Sequence, residues 1–179
     1  MMNDAAAAYK RGDYATAYRL LKLLAEQGNA QARYALGSMY YKGEGVPQDY
    51  AEAMKWLRKA AEQGNAPAQG ALGSMYYRGE GVPRDYAEAM KWYREAAEQG
   101  NAFAQNFLGY MYQEGIGVSQ DYVMAYMWFN LATLRFTASQ KVGREKAIGN
   151  RVHVAFYMSH AQIAEAQKLA REWKPKKER

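Results

Sequence analysis

Residues 29–64 read NAQARYALGSMYYKGEGVPQDYAEAMKWLRKAAEQG, and residues 65–100 read NAPAQGALGSMYYRGEGVPRDYAEAMKWYREAAEQG, with 29 of 36 positions identical. A more divergent copy follows over 101–136 and keeps 16 of the 36 residues. Half a copy precedes them, because Asp13-Tyr14 and Glu26-Gln27-Gly28 stand 36 residues before Asp49-Tyr50 and Glu62-Gln63-Gly64. A fixed period of this length is the mark of stacked units, none of which can bury its apolar face alone. Stacked units present a surface more often than a reaction centre, and that sets the expectation for function.

Each copy reads as a helix, a glycine turn and a second helix. Asn29 is an N-cap, and Ala32, Leu36, Met39 and Tyr40 follow at helical spacing. Gly43 and Gly45 supply positive φ angles that end the helix, and Val46-Pro47 holds the chain extended. Asp49 caps the second helix, with Glu52 three residues on in an Asp-x-x-Glu capping box. Ala53, Trp56, Leu57 and Ala60 form its buried stripe, and Gly64 stops it. Small residues at Gly37, Ala53 and Ala60 allow close helix approach, while Trp56 fills the larger gap.

The pattern Ala-x-x-x-Leu-Gly-x-x-Tyr-x-x-Gly-x-Gly-Val-x-x-Asp-x-x-x-Ala-x-x-Trp-x-x-x-Ala-x-x-x-Gly fits 32–64 and again 68–100. It resembles the Sel-one-like repeat, a relative of the tetratricopeptide repeat. The third copy keeps Leu108, Gly109, Tyr112, Gly115, Gly117, Val118, Asp121, Ala125, Trp128 and Ala132, then departs at Arg135-Phe136-Thr137. The resemblance implies an all-α, right-handed α-α superhelix, or solenoid, closed by a C-terminal helical cap. It also implies a bacterial adaptor that organises protein complexes or envelope-associated processes. The expected organisation is one solenoid over 1–173. Residues 1–28 are its N-terminal partial repeat, 29–64, 65–100 and 101–136 its repeats, 137–173 its capping helices, and 174–179 a flexible basic tail.

The second helix of the third copy turns apolar. Glu52, Lys55, Lys59 and Glu62 of the first copy become Met124, Met127, Leu131 and Leu134. A helix apolar all round must be covered on more than one side. Two coverings fit: the C-terminal helices acting as a cap, or a partner or dimer seam through Met124, Met127 and Phe129. Helices for the cap are available. Ser139 to Met158 carries Val142, Val152 and Phe156 as its expected apolar stripe, and Ser159 with Gln162 starts another helix bearing Ile163, Ala166, Ala170 and Trp173.

Composition narrows the function classes. The 179 residues contain no cysteine, which excludes disulfides and thiolate chemistry. No apolar run is long enough to cross a bilayer, and Met1-Met2-Asn3-Asp4 opens without an export leader. A cytoplasmic chain is therefore expected as the sequence is written, or a periplasmic one if a leader was removed. The net charge of +6 resides wholly in 137–179, where ten Lys/Arg face four Asp/Glu. Glu145, Glu165, Glu172 and Glu178 interrupt those cations, so a solvated segment is expected rather than a nucleic-acid contact.

No motif calls for catalysis, a cofactor or a metal. The Lys42-Gly43-Glu44-Gly45-Val46-Pro47 loop has too few glycines for a phosphate cradle and leads into an Asp cap that repels anions. His153 and His160 are the only histidines. A non-enzymatic scaffold that binds a protein or peptide partner is the expectation; the alternative is a self-associating module using the apolar C-terminal end. In the family arrangement the first helices line the concave face. That makes Tyr34, Ser38 and Tyr41 of copy one, Ser74 and Tyr77 of copy two, and Asn106, Tyr110 and Gln113 of copy three the candidate contacts. Copies one and two also differ at Gln31/Pro67, Arg33/Gln69 and Tyr34/Gly70, a clustering expected of surface positions. Two roles fit Tyr41 and Tyr77: anchors in the groove, or packing between neighbouring hairpins.

Overall fold

Helix start and stop chemistry recurs with the sequence period. In a computed structural model that describes residues 1–176, Asn29, Asn65 and Asn101 each accept a hydrogen bond from the backbone N–H three residues on, at 2.8–2.9 Å. Gly43, Gly79 and Gly115 end the helices that follow, with φ of 73°, 73° and 68°. Asp49 accepts from the N–H groups of Ala51 and Glu52. Its expected capping partner Glu52 instead pairs with Lys55 at 3.0 Å, because the Asp49 N–H that a capping box would give it already donates to Tyr40 O at 2.9 Å.

Ten α-helices and one short 3-10 turn form among the described residues, with no strand. They gather into two compact units, Met1–Asp85 and Tyr86–Arg179. In the first unit, α1 (Met2–Lys10) packs on α2 (Tyr14–Glu26), α2 on α3 (Ala30–Lys42), α3 on α4 (Tyr50–Glu62), and α4 on α5 (Ala66–Arg78). Ala5, Ala8, Ala17, Leu21, Leu24, Leu36, Met39 and Trp56 share its core. Gly37 permits the α3–α4 approach, since a Cβ there would lie 2.7 Å from Leu57 Cγ. The loop glycines Gly45 and Gly81 lean on the first turn of α2 and of α4, so closely that a Cβ would stand 2.9 Å from Tyr14 O and 2.7 Å from Tyr50 O.

The second unit holds α6 (Tyr86–Glu98), α7 (Ala102–Glu114), α8 (Tyr122–Arg135), α9 (Lys141–Ala155) and α10 (His160–Glu172). The apolar helix α8 is covered by α7, α9 and α10. Phe129 is fully buried and Met127 nearly so within the chain, and of the residues of the alternative seam only Met124 is half-buried. Leu134 alone of the four substituted positions stays outside, 73% exposed.

Two further expectations are corrected here. The stripe Val142, Val152 and Phe156 does not face the core: all three are exposed, and α9 buries Ala147 and Val154 instead. The inner face must be small because the Phe136 ring lies against it; a Cβ on Gly143 would meet that ring at 2.6 Å. Phe136, which ends α8, packs edge-on to Phe103 at 4.8 Å, and so replaces the Gly-Asn junction of the other copies with a buried wedge. The tail expected to be flexible from 174 is anchored as far as Lys176. Its N–H donates to Glu98 O at 2.7 Å, and its ammonium lies 2.9 Å from the Glu98 carboxylate and 3.7 Å from Glu95. The open carbonyls and acids at the end of α6 supply that anchor. Residues 177–179 of the expected tail lie outside the described residues.

Candidate partner-binding groove

In the first unit α3 and α5 form the two walls of an open groove of about 330 Å³, with Leu57 of α4 as its floor. Leu57 reaches the floor because Gly37 leaves room beneath α3. Four of the eight candidate residues meet here: Tyr34, Ser38 and Tyr41 from α3, and Ser74 from α5. Ala71 and Met75 add apolar surface, and Lys42 and Arg78 bring positive charge to the cavity.

Tyr41 lines the groove and also packs between neighbouring hairpins. Its hydroxyl donates to the Glu80 carboxylate at 2.8 Å and accepts from Arg78 Nη1 at 3.3 Å, and its ring lies 5.2 Å from that of Tyr50. Burial, and then the bond to Glu80, pushes its phenol pKa up. A matching cluster stands one repeat earlier, where the Tyr9 hydroxyl donates to Glu44 and accepts from Lys42 at 3.2 Å. In both cases a tyrosine is gripped by the Lys/Arg-Gly-Glu of a later turn. Tyr41 is thus a wall of the groove and a clamp on its frame. Tyr34 and Ser38 are freer: both are half-buried, and Ser38 Oγ donates only within its own helix, to Tyr34 O at 3.0 Å.

The other four candidates do not join this groove. Tyr77 is half-buried on α5 and lies outside it. Asn106, Tyr110 and Gln113 belong to α7 of the second unit. There Asn106 Oδ1 accepts from Asn150 Nδ2 of α9 at 3.1 Å, which ties α7 to α9. Gln113 donates its side-chain N–H to Glu114 and gives its carbonyl to Gln120. Tyr110 is exposed.

Position 33/69, expected at the surface, is turned inward, as is the matching Gln105. Gln69 and Gln105 are 4% and 0% exposed, and they donate to Ala61 O and Ala97 O at 3.2 and 3.1 Å, while Arg33 Nε donates to Ala25 O at 3.0 Å. The groove cations Lys42 and Arg78 were missed; their signal was a charge of one sign kept before the turn in both close copies. Among the described residues no cluster of three or more His, Cys, Asp or Glu could hold a metal. His160 opens α10, and His153 stands edge-on to Tyr157.

The repeat geometry has counterparts. The family model of the Sel1 repeat matches residues 5–29, 30–65, 66–101 and 102–135. A crystal structure of a Sel1 repeat protein from Oxalobacter formigenes is 32% identical, with a TM-score of 0.71 over 95% of this chain and 74% of that one. A second, of c5321, a protective antigen present in uropathogenic Escherichia coli strains displaying an SLR fold, is 30% identical, with a TM-score of 0.64 over 88% of this chain and 40% of that one. No curated protein matches the sequence. Sel1 repeat proteins are generally protein–protein interaction scaffolds without catalysis of their own. With four matched repeats, glycine-turned hairpins and two solved relatives above 30% or at it, this α-solenoid chain belongs to the Sel1 repeat family.

Proposed function

We propose that the chain is a non-catalytic adaptor whose α3–α5 groove holds a peptide or protein segment of a partner. The observation that carries this reading is the convergence of Tyr34, Ser38, Tyr41 and Ser74, from two consecutive repeats, on one open cavity over Leu57. Tyrosine suits such a wall: it offers large contact area, few rotors and a hydroxyl that can find a partner's polar groups. Serine hydroxyls give short-range donors and acceptors for a bound backbone. Leu57, Ala71 and Met75 leave an apolar floor for one inserted side chain.

The test is a selection from a displayed random-peptide library on the full chain. Two variants then separate groove binding from adhesion elsewhere: Ser74→Phe, which fills the cavity, and Tyr34→Ala, which strips one wall. Peptides seated in the groove should lose about tenfold or more of their affinity for both variants, while the unfolding midpoint stays nearly unchanged. Enriched peptides that bind all three proteins equally would place recognition outside the groove and end this reading.

A further inference from the structure

The helix α9 is inverted. Its inner stripe, at i, i+4, i+7 and i+11, is Gly143, Ala147, Asn150 and Val154, all buried or half-buried. Its outer stripe, at i, i+3, i+7, i+10 and i+14, is Val142, Glu145, Gly149, Val152 and Phe156, every one exposed. Val142 is 69%, Val152 51% and Phe156 82% exposed, so the larger apolar side chains point to solvent and the small ones inward. Tyr157 continues the apolar surface, held by stacking on Tyr122 at 5.5 Å. A recess of about 360 Å³ opens beside it, lined by Tyr126, Arg151, Val152, Ala155 and Phe156.

The same helix is cationic. Lys141, Arg144, Lys146 and Arg151 face a single acid, Glu145, which Lys141 pairs at 3.8 Å. Arg151 is turned to Asn130 at 2.7 Å, whereas Arg144 and Lys146 are exposed. A ridge of apolar side chains flanked by cations is the composition of a helix that lies in a membrane interface. Anionic headgroups attract the cations, and the acyl boundary takes the apolar tips. The positive charge also argues against a second copy of this chain, because two such helices face to face would bring their cations together. No helix among the described residues is long and apolar enough to cross a membrane, so the contact would be peripheral.

We infer that the outer face of α9 docks the chain onto an anionic lipid surface, with Val152 and Phe156 as the inserted side chains and Arg144 and Lys146 as headgroup contacts. This site is independent of the groove in the first unit.

The experiment is co-sedimentation of the full chain with large unilamellar vesicles, made either of phosphatidylglycerol and phosphatidylcholine in equal parts or of phosphatidylcholine alone. The chain should partition onto the anionic vesicles at low salt, much less onto the neutral ones, and less again at high salt. Val152→Ser with Phe156→Ser should lower partitioning about tenfold or more, since a buried aromatic and a valine are lost from the contact. Arg144→Gln with Lys146→Gln should lower it about tenfold at low salt. All four positions are exposed, and circular dichroism should show an unchanged fold. No partitioning onto anionic vesicles overturns the inference, and so does partitioning that the Val152/Phe156 double variant leaves intact. A concentration-dependent dimer in light scattering that Phe156→Ser abolishes would assign the ridge to self-association instead.

Discussion

Replacing Gly81 by alanine tests whether consecutive hairpins of the first unit are held by backbone contact as well as by side chains. Gly81 has φ +75°, so alanine there pays the left-handed penalty of about 1–2 kcal/mol. It would also set its Cβ 2.7 Å from Tyr50 O and 2.9 Å from Tyr50 C. Those are backbone atoms in the first turn of α4, which cannot swing aside as a side-chain tip can, and such overpacking costs about 1–3 kcal/mol. The expected loss is therefore about 2–5 kcal/mol. Gly64 is the control, because its φ is +85° but nothing lies within 4 Å of its would-be Cβ. Gly64→Ala carries the same kind of strain and the same stiffening of the unfolded chain, so both cancel in the comparison. The difference between the two variants, about 1–3 kcal/mol, isolates the hairpin contact. Urea unfolding followed by far-UV circular dichroism reads both. Equal destabilisation, within about 0.5 kcal/mol, would refute the claim that the turn of one copy rests on the helix of the copy before it.

Other expectations follow from the same structure. Tyr41→Ala should lower stability by about 2–4 kcal/mol, because it removes a ring packed on Tyr50 and the hydrogen bond to Glu80, whereas Tyr34→Ala should cost less than about 1 kcal/mol in urea unfolding. Alkaline pH should destabilise the fold. The Tyr40 hydroxyl is pushed up to about 12, first by its hydrogen bond with Tyr18 and then by burial, from an ordinary value of 10.0. Burial also raises Tyr9 and Tyr41. A raised folded-state pKa means that this stability is whole below the unfolded value and is lost as pH climbs towards the folded one. Chemical unfolding between pH 10 and 12 should therefore weaken steadily, and Tyr40→Phe should flatten the decline. Trp173→Ala should cost the second unit about 1–3 kcal/mol, read as an earlier unfolding transition, because Trp173 lies edge-on to Trp128 at 6.2 Å and under the Arg135 guanidinium at 4.8 Å.

The parts of this fold that could be read ahead of the structure are those governed by local chemistry. Asn29, Asp49 and Gly43 act on backbone groups within a few residues, so their roles follow from spacing alone. The orientation of α9 could not be read that way. Val142, Val152 and Phe156 look like a core stripe until the Phe136 ring claims the inner face and admits only Gly143 and Ala147 beside it. The groove was half legible for a related reason. Helical spacing put Tyr34, Ser38 and Tyr41 on one face, but Arg78 enters from α5 and Leu57 from α4, whose approach depends on the glycine at 37. The tie from Asn150 to Asn106 was likewise hidden, because the two residues stand 44 positions apart.

Position 33/69/105 shows how sequence variation can conceal a constraint. Arginine, glutamine and glutamine look interchangeable only if the side chain meets water, yet each donates an N–H to the carbonyl eight residues earlier, at Ala25, Ala61 and Ala97. Those carbonyls sit in the last turn of a second helix, where each accepts from the glycine N–H three residues on and has a second lone pair for the side chain. The requirement at this position is thus a side chain long enough to cross the Gly-Asn junction and carry a donor to its end. Arginine meets it in copy one and adds a bond to Gln63 Oε1 at 2.8 Å. The first helix of each copy is in this way hydrogen-bonded to the second helix of the copy before it by a residue whose identity drifts while its chemistry does not. That bond fixes where α3 and α5 sit against their neighbours in the first unit, and so sets the walls between which Tyr34 and Ser74 face the groove.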